Sequence, residues 1–202
     1  MATKGERTRE RILAEARLLF KQKGFGATTI NDLLDASGTT KGNLYFHFSD
    51  KEAVALEVLR REQQSFYGFL EQAFSGRPAA AGLDHFFHQA LEKHRQQGFV
   101  GGCLFGNTAL ETSDTAPLFA GLVQDVFTEW IKVFAEQIAA AQATGEIRSD
   151  IPAGDLAEMV VATIEGGIMQ SRLKKSAAPL KRSLETLRRV LELKLISGCS
   201  AG

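Results

Sequence analysis

The chain has 202 residues, of which 44% are apolar and 24% charged. This excludes a disordered or collagen-like chain and leaves enough apolar material for one or two domains with a sizeable core. Lys+Arg and Asp+Glu number 24 each, so no overall basicity points to nucleic acid, yet residues 1–51 hold nine bases against six acids. A local excess of that sign suits a segment that meets phosphate.

The periodicity is helical nearly throughout. Ile12, Leu13, Ala16, Leu19 and Phe20 share one helix face, and Gly24 stands where a C-cap glycine stops a helix. Thr29 to Asp32 resembles a capping box and opens a short helix through Leu33, Leu34 and Ala36, which Ser37-Gly38-Thr39 breaks. A second short helix carries Lys41 to Phe46. Ser49-Asp50-Lys51-Glu52 fits a capping box for a long helix reaching about Ala73. Beyond the break at Ser75 to Pro78, helices are expected at about 80–97, 103–112, 116–144, 153–175 and 179–197. No segment alternates as a strand does. The expected class is all-α with about nine helices. A helix-turn-helix unit over 1–50 should precede a larger helical bundle over 51–202.

Two short helices joined by a tight glycine turn, after a longer one, are the layout of a helix-turn-helix. A major groove is just wide enough for one α-helix. Ile12, Ala16, Phe20, Ile30, Leu33, Leu34, Leu44 and Phe48 supply a core behind the third helix. Its outer face then offers Thr39, Thr40, Lys41, Asn43, Tyr45 and His47, groups that suit phosphate oxygens and base edges. Gly42 costs a helix about 1 kcal/mol relative to Ala, so something should require it there, such as close approach to DNA.

The stretch Gly24 to Ile30, followed by Ser37-Gly38-Thr39-Thr40-Lys41-Gly42-Asn43-Leu44-Tyr45-Phe46-His47-Phe48-Ser49-Asp50-Lys51-Glu52-Ala53, resembles the DNA-binding domain of the TetR/AcrR family of bacterial repressors. Thr8 to Leu13, Leu19-Phe20 and Gly24 match as well, and the family domain extends to about residue 66. Thr39 stands where many members have an apolar residue. The resemblance implies phosphate contacts from Thr28 or Thr29, Tyr45, His47 and Lys51. It implies base-edge or mixed contacts from Thr40, Lys41 and Asn43. It further implies a homodimer through the helices at about 153–175 and 179–197, facing a roughly palindromic DNA operator.

Between reader and dimer interface the family places a ligand pocket. Phe66, Phe69, Phe105, Asn107, Trp130 and Gln170 are candidates to line it, with Glu111 or a histidine as further polar groups; the same rings would equally serve as core. The helix from Asp50 to Ala73 is the expected lever between pocket and reader. Cys103 begins a helix after Gly101-Gly102, where a thiol pKa falls, so it reads either as a packed structural thiol or as a sensor. Gly102-Cys103-Leu104 with Ala109-Leu110-Glu111 is similar to a branch of the family that includes an electrophile-responsive repressor. The expected effector is a small apolar or electrophilic molecule.

Other chemistries find little support. His85, His88 and His94 lack a zinc signature, no nucleophile or phosphate-loop motif occurs, and neither a metal nor a cofactor is expected. Cys103 and Cys199 make no disulfide framework, no apolar run approaches 18 residues, and Met1 to Arg7 is polar. A cytoplasmic, non-enzymatic, ligand-responsive repressor without membrane attachment is therefore the expectation.

Overall fold

The computed structural model describes residues 3–194. Among these residues there are nine helices and no strand: α1 (Lys4–Lys23), α2 (Ile30–Ser37), α3 (Lys41–His47), α4 (Lys51–Phe74), α5 (Ala79–Gln96), α6 (Leu104–Thr112), α7 (Pro117–Ala143), α8 (Ala153–Lys174) and α9 (Ala178–Val190). The last helix stops short of the expected residue 197. Glu192 takes a positive φ, and the backbone turns to hydrogen-bond with the segment after α7, Arg148 N–H to Leu191 O and Lys194 N–H to Glu146 O. Leu195, the tail from Ser197 and Cys199 lie outside the described residues.

The chain divides into two compact units. Residues 3–66 join with Val100–Val126, and Tyr67–Phe99 join with residues 127–194. This differs from a break at residue 50. The first sixteen residues of α4, together with α6, pack with the N-terminal helices.

In the first unit, α1 packs on α2, α3 and α6. Ile12, Leu13, Ala16, Phe20, Leu33, Leu44 and Phe48 are buried, with Val54, Ala55, Val58 and Leu59 of α4. Ion pairs tie α1 to α4: Arg17 with Glu62, Arg61 with Glu10, and Arg9 with Glu57. In the second unit Phe86 is an aromatic hub, its centroid 4.9 Å from Phe134, 5.2 Å from Phe69 and 6.0 Å from Trp130. Helices α8 and α9 pack closely because Gly167 leaves room. A Cβ there would lie 2.9 Å from Ser183 Oγ and 3.1 Å from Leu180 Cδ1. Ser171 Oγ accepts the Leu180 N–H at 2.9 Å at the same joint.

Candidate nucleic-acid interface

The reader is built by caps. Helix α2 starts on Thr29, whose hydroxyl accepts the Asp32 N–H (3.1 Å) while the Asp32 carboxylate accepts the Thr29 N–H (2.8 Å). Lys23 Nζ binds the same carboxylate at 2.6 Å. That ammonium, then the Thr29 N–H and hydroxyl, hold the Asp32 carboxyl down to about 2. Gly38 ends α2 in the left-handed region (φ 58°), and Thr40 caps α3 by accepting the Asn43 N–H at 3.3 Å. Two caps and one left-handed residue thus fix the turn between α2 and α3. Buried Leu44 and Phe48 then anchor α3 to the core.

With Leu44 facing inward, Thr40, Lys41, Gly42, Asn43 and Tyr45 are exposed, and His47 is half-buried at the end of the helix. A Cβ on Gly42 would meet nothing within 4 Å. No neighbour in the protein therefore requires glycine there. Thr29 is exposed, but its hydroxyl donates to Asp32 at 2.9 Å as well as accepting from it.

Three of the sequence-predicted contacts sit differently. Thr28 is fully buried and its hydroxyl donates to Gly24 O at 2.6 Å, which leaves Thr29 as the exposed member of that pair. The Thr39 hydroxyl is turned inward, with no hydrogen-bond partner among the described residues. This is the cost of a polar β-branched side chain facing the protein. Lys51 is half-buried; its ammonium donates to Phe25 O (2.9 Å) and Thr28 O (2.8 Å) and lies 4.2 Å from the Phe25 ring centroid. It braces the turn between α1 and α2.

The opposite side of that turn is held by Glu111 of α6. Its carboxylate accepts the N–H groups of Phe25 (2.8 Å) and Gly26 (2.5 Å). Gly24 makes room for it: φ is +88°, and a Cβ would stand 2.8 Å from Glu111 Oε2. Phe25 and Glu111 were not assigned to this turn from sequence. Their pairing spans 86 residues and leaves no local signal.

The expected pocket residues are distributed. In the first unit, Phe66 faces Phe105 at 6.1 Å, and Asn107 Nδ2 donates to Gly101 O at 2.7 Å. Asn107, Glu111, Phe20, Phe25, Leu104 and Phe119 border a cavity of about 10 Å³, room for about one water. In the second unit, Phe69 and Trp130 are packed in the aromatic cluster, while Gln170 is exposed on α8. Cys103 is half-buried and caps α6, its sulfur 3.5 Å from the Gly106 N–H. Burial, then the charges of Arg77 and His88, push the His85 imidazole below its usual range. Among the described residues, no three His, Cys, Asp or Glu side chains are grouped to hold a metal, and no helix is long and apolar enough to cross a membrane.

Comparison with known proteins agrees with this arrangement. Residues 12–58 match the family described as bacterial regulatory proteins, tetR family, and residues 79–187 match the tetracyclin repressor-like C-terminal domain. The HTH-type transcriptional repressor DhaR of Mycobacterium sp. (strain GP1) is 28% identical, with 87% of this chain and 88% of that protein covered. A TetR transcriptional regulator from Chloroflexus aurantiacus has a similar solved structure: 31% identity, TM-score 0.85, 95% of this chain and 97% of that one covered. The regulatory protein TetR from Rhodobacter sphaeroides gives 27% identity and a TM-score of 0.84, covering 90% and 97%. Matches to both domains, spanning the reader and most of the remaining helices, settle what the capped turn and exposed third helix belong to. The chain is a member of the TetR family of DNA-binding transcriptional regulators, which are not enzymes.

Proposed function

We propose that this regulator is a ligand-responsive repressor that binds a palindromic operator as a homodimer and leaves it when a small apolar or electrophilic molecule binds. The observation that carries the reading is α3 itself: anchored by Leu44, it presents Lys41, Gly42, Asn43 and Tyr45 to solvent. Thr40, Lys41 and Asn43 have the chemistry of base edges, and Tyr45 and His47 that of phosphate. Lys51 acts through the turn that it braces. Selection of bound fragments from a random duplex pool tests this directly. The expected product is an inverted repeat whose half-sites lie about one helical turn, or a multiple of it, apart. Binding should weaken as salt rises, since each cation that meets a phosphate releases condensed counterions. A protein that enriches no sequence at low salt would refute the reading.

The dimer is supported by an apolar stripe on α8. Ala162, Gly166, Met169 and Leu173 follow one another at helical spacing and point away from the buried face of α8; Met169 and Leu173 are 59% and 80% exposed. Leu173→Asp should convert a dimer to a monomer in sedimentation velocity without unfolding it. A wild-type monomer at micromolar concentration would sink the proposal.

Ligand release requires the effector to prefer the state that does not fit DNA, since equal affinity for both states shifts nothing. The packed surroundings of Phe66 and Phe105, or those of Phe69 and Trp130 around Phe86, must open to admit an apolar molecule. An electrophile would instead react at Cys103, the half-buried N-cap of α6. Stoichiometric N-ethylmaleimide should then weaken operator binding by wild type and not by Cys103→Ser; equal titrations in all four cases would remove the sensor role.

A further inference from the structure

The most exposed ring of the reader belongs to a residue that cannot make a hydrogen bond. Phe46 is 82% exposed, and its neighbour His47 lies edge-on with centroids 5.0 Å apart. Residues four apart on a helix share a face, so α3 carries three parallel rows: Lys41 with Tyr45, Gly42 with Phe46, and Asn43 with His47. At 100° per residue, the direction opposite buried Leu44 falls between Gly42 and Phe46. The row that faces farthest from the core is therefore one residue with no side chain and one large apolar ring. Since a Cβ on Gly42 would meet nothing of the protein within 4 Å, the space in front of this row is open.

Phe46 offers neither donor nor acceptor. The one apolar feature by which a base pair identifies itself in the major groove is the C5-methyl group of thymine. We infer that Phe46 packs on a thymine methyl in each half-site and so reads a base pair that the polar rows on either side do not. Gly42 lets the helix axis come near enough for the ring to reach it. The inference rests on α3 lying in the groove, as proposed above. It adds a position whose specificity depends on shape and apolar contact alone.

The test uses the full-length protein and the operator selected from the random pool. Each thymine of a half-site is replaced in turn by deoxyuridine, which removes the methyl group and leaves every hydrogen-bonding group in place. In wild type, one position per half-site should lose about fourfold in affinity, and about fifteenfold when both half-sites are changed, the worth of one buried methyl-sized group each. Phe46→Ala should bind more weakly and be indifferent to uracil at that position, while Phe46→Leu keeps part of the response. Circular dichroism should give all three proteins the same helix content, since Phe46 is not part of the core. A half-site without thymine, or a uracil effect that persists in Phe46→Ala, would overturn the inference while leaving the operator reading intact. Weakening by Phe46→Ala with no methyl dependence anywhere would also overturn it, since it would place the ring on the sugar–phosphate backbone. Absence of any selected duplex would remove both readings together.

Discussion

Glu111 accepts the backbone N–H of Phe25 at 2.8 Å, joining α6 to a turn 86 residues earlier in the chain. The same carboxylate takes the Gly26 N–H, and Lys51 holds the Phe25 and Thr28 carbonyls from the other side. The turn that sets the angle between α1 and α2 is thus gripped through its donors by an anion and through its acceptors by a cation.

Glu111→Ala should release the donor side. The carboxylate is exposed, so the loss is modest, about 1 kcal/mol or 2–4 °C in Tm for a chain of this size. The sharper readout is hydrogen exchange: the Phe25 and Gly26 amides should exchange at least about tenfold faster, while Leu33 and Leu44 in the core do not change. Unchanged exchange at Phe25 would show that the turn holds its shape unaided.

Lys51→Ala should act on the turn and little on counterions. Two hydrogen bonds and the contact with the Phe25 ring disappear, for about 1–2 kcal/mol and a Tm lower by roughly 3–6 °C. Operator affinity should fall with its salt slope and base preference nearly unchanged, whereas Lys41→Ala should change the base preferred at one position of the half-site. A flattened slope for Lys51→Ala would make it a phosphate ligand after all.

Thr39→Val should stabilise the protein. The hydroxyl is buried without a partner, and valine keeps the shape while removing the desolvated group, a gain of about 1 kcal/mol or 2–4 °C in Tm. The recovered operator sequence should not change. A lower Tm, or a new base preference, would mean that the hydroxyl is used when DNA is bound.

Acid should weaken the reader through Asp32. Its folded-state pKa of about 2 lies below the ordinary 3.8, so its contribution is complete above that value and is lost as pH falls from about 4 to 2. Asp32→Asn keeps an oxygen for the Thr29 N–H but removes the charge that meets Lys23. The variant should melt below wild type at pH 6, and the gap should close as pH approaches 2. A gap independent of pH would assign the effect to the cap geometry rather than to the charge.

What the sequence reveals here is what is local. Thr29 with Asp32, Gly38, Thr40 and the spacing of Leu33, Leu44 and Phe48 lie within twenty residues, so caps and periodicity suffice to place the reader on α2 and α3. The grip on the turn is not local: Glu111 and Phe25 are neighbours only after folding. Nor does residue type distinguish the partners of a polar group. A lysine donates equally to a phosphate or to a carbonyl, and Thr28, Thr29 and Thr39 differ only in where the backbone turns them. The aromatic residues are opaque for a related reason, since Phe69 and Trp130 have the same composition whether they fill a core or border a cavity. Phe46 draws no role from the sequence because an apolar residue between Leu44 and Phe48 looks like more core.

Position 42 sets durability against recognition. Alanine there would firm up α3 by about 1 kcal/mol and collide with nothing in the protein. Variants evolved for heat resistance alone should therefore drift toward alanine at this position and, gaining degrees, lose their grip on the operator.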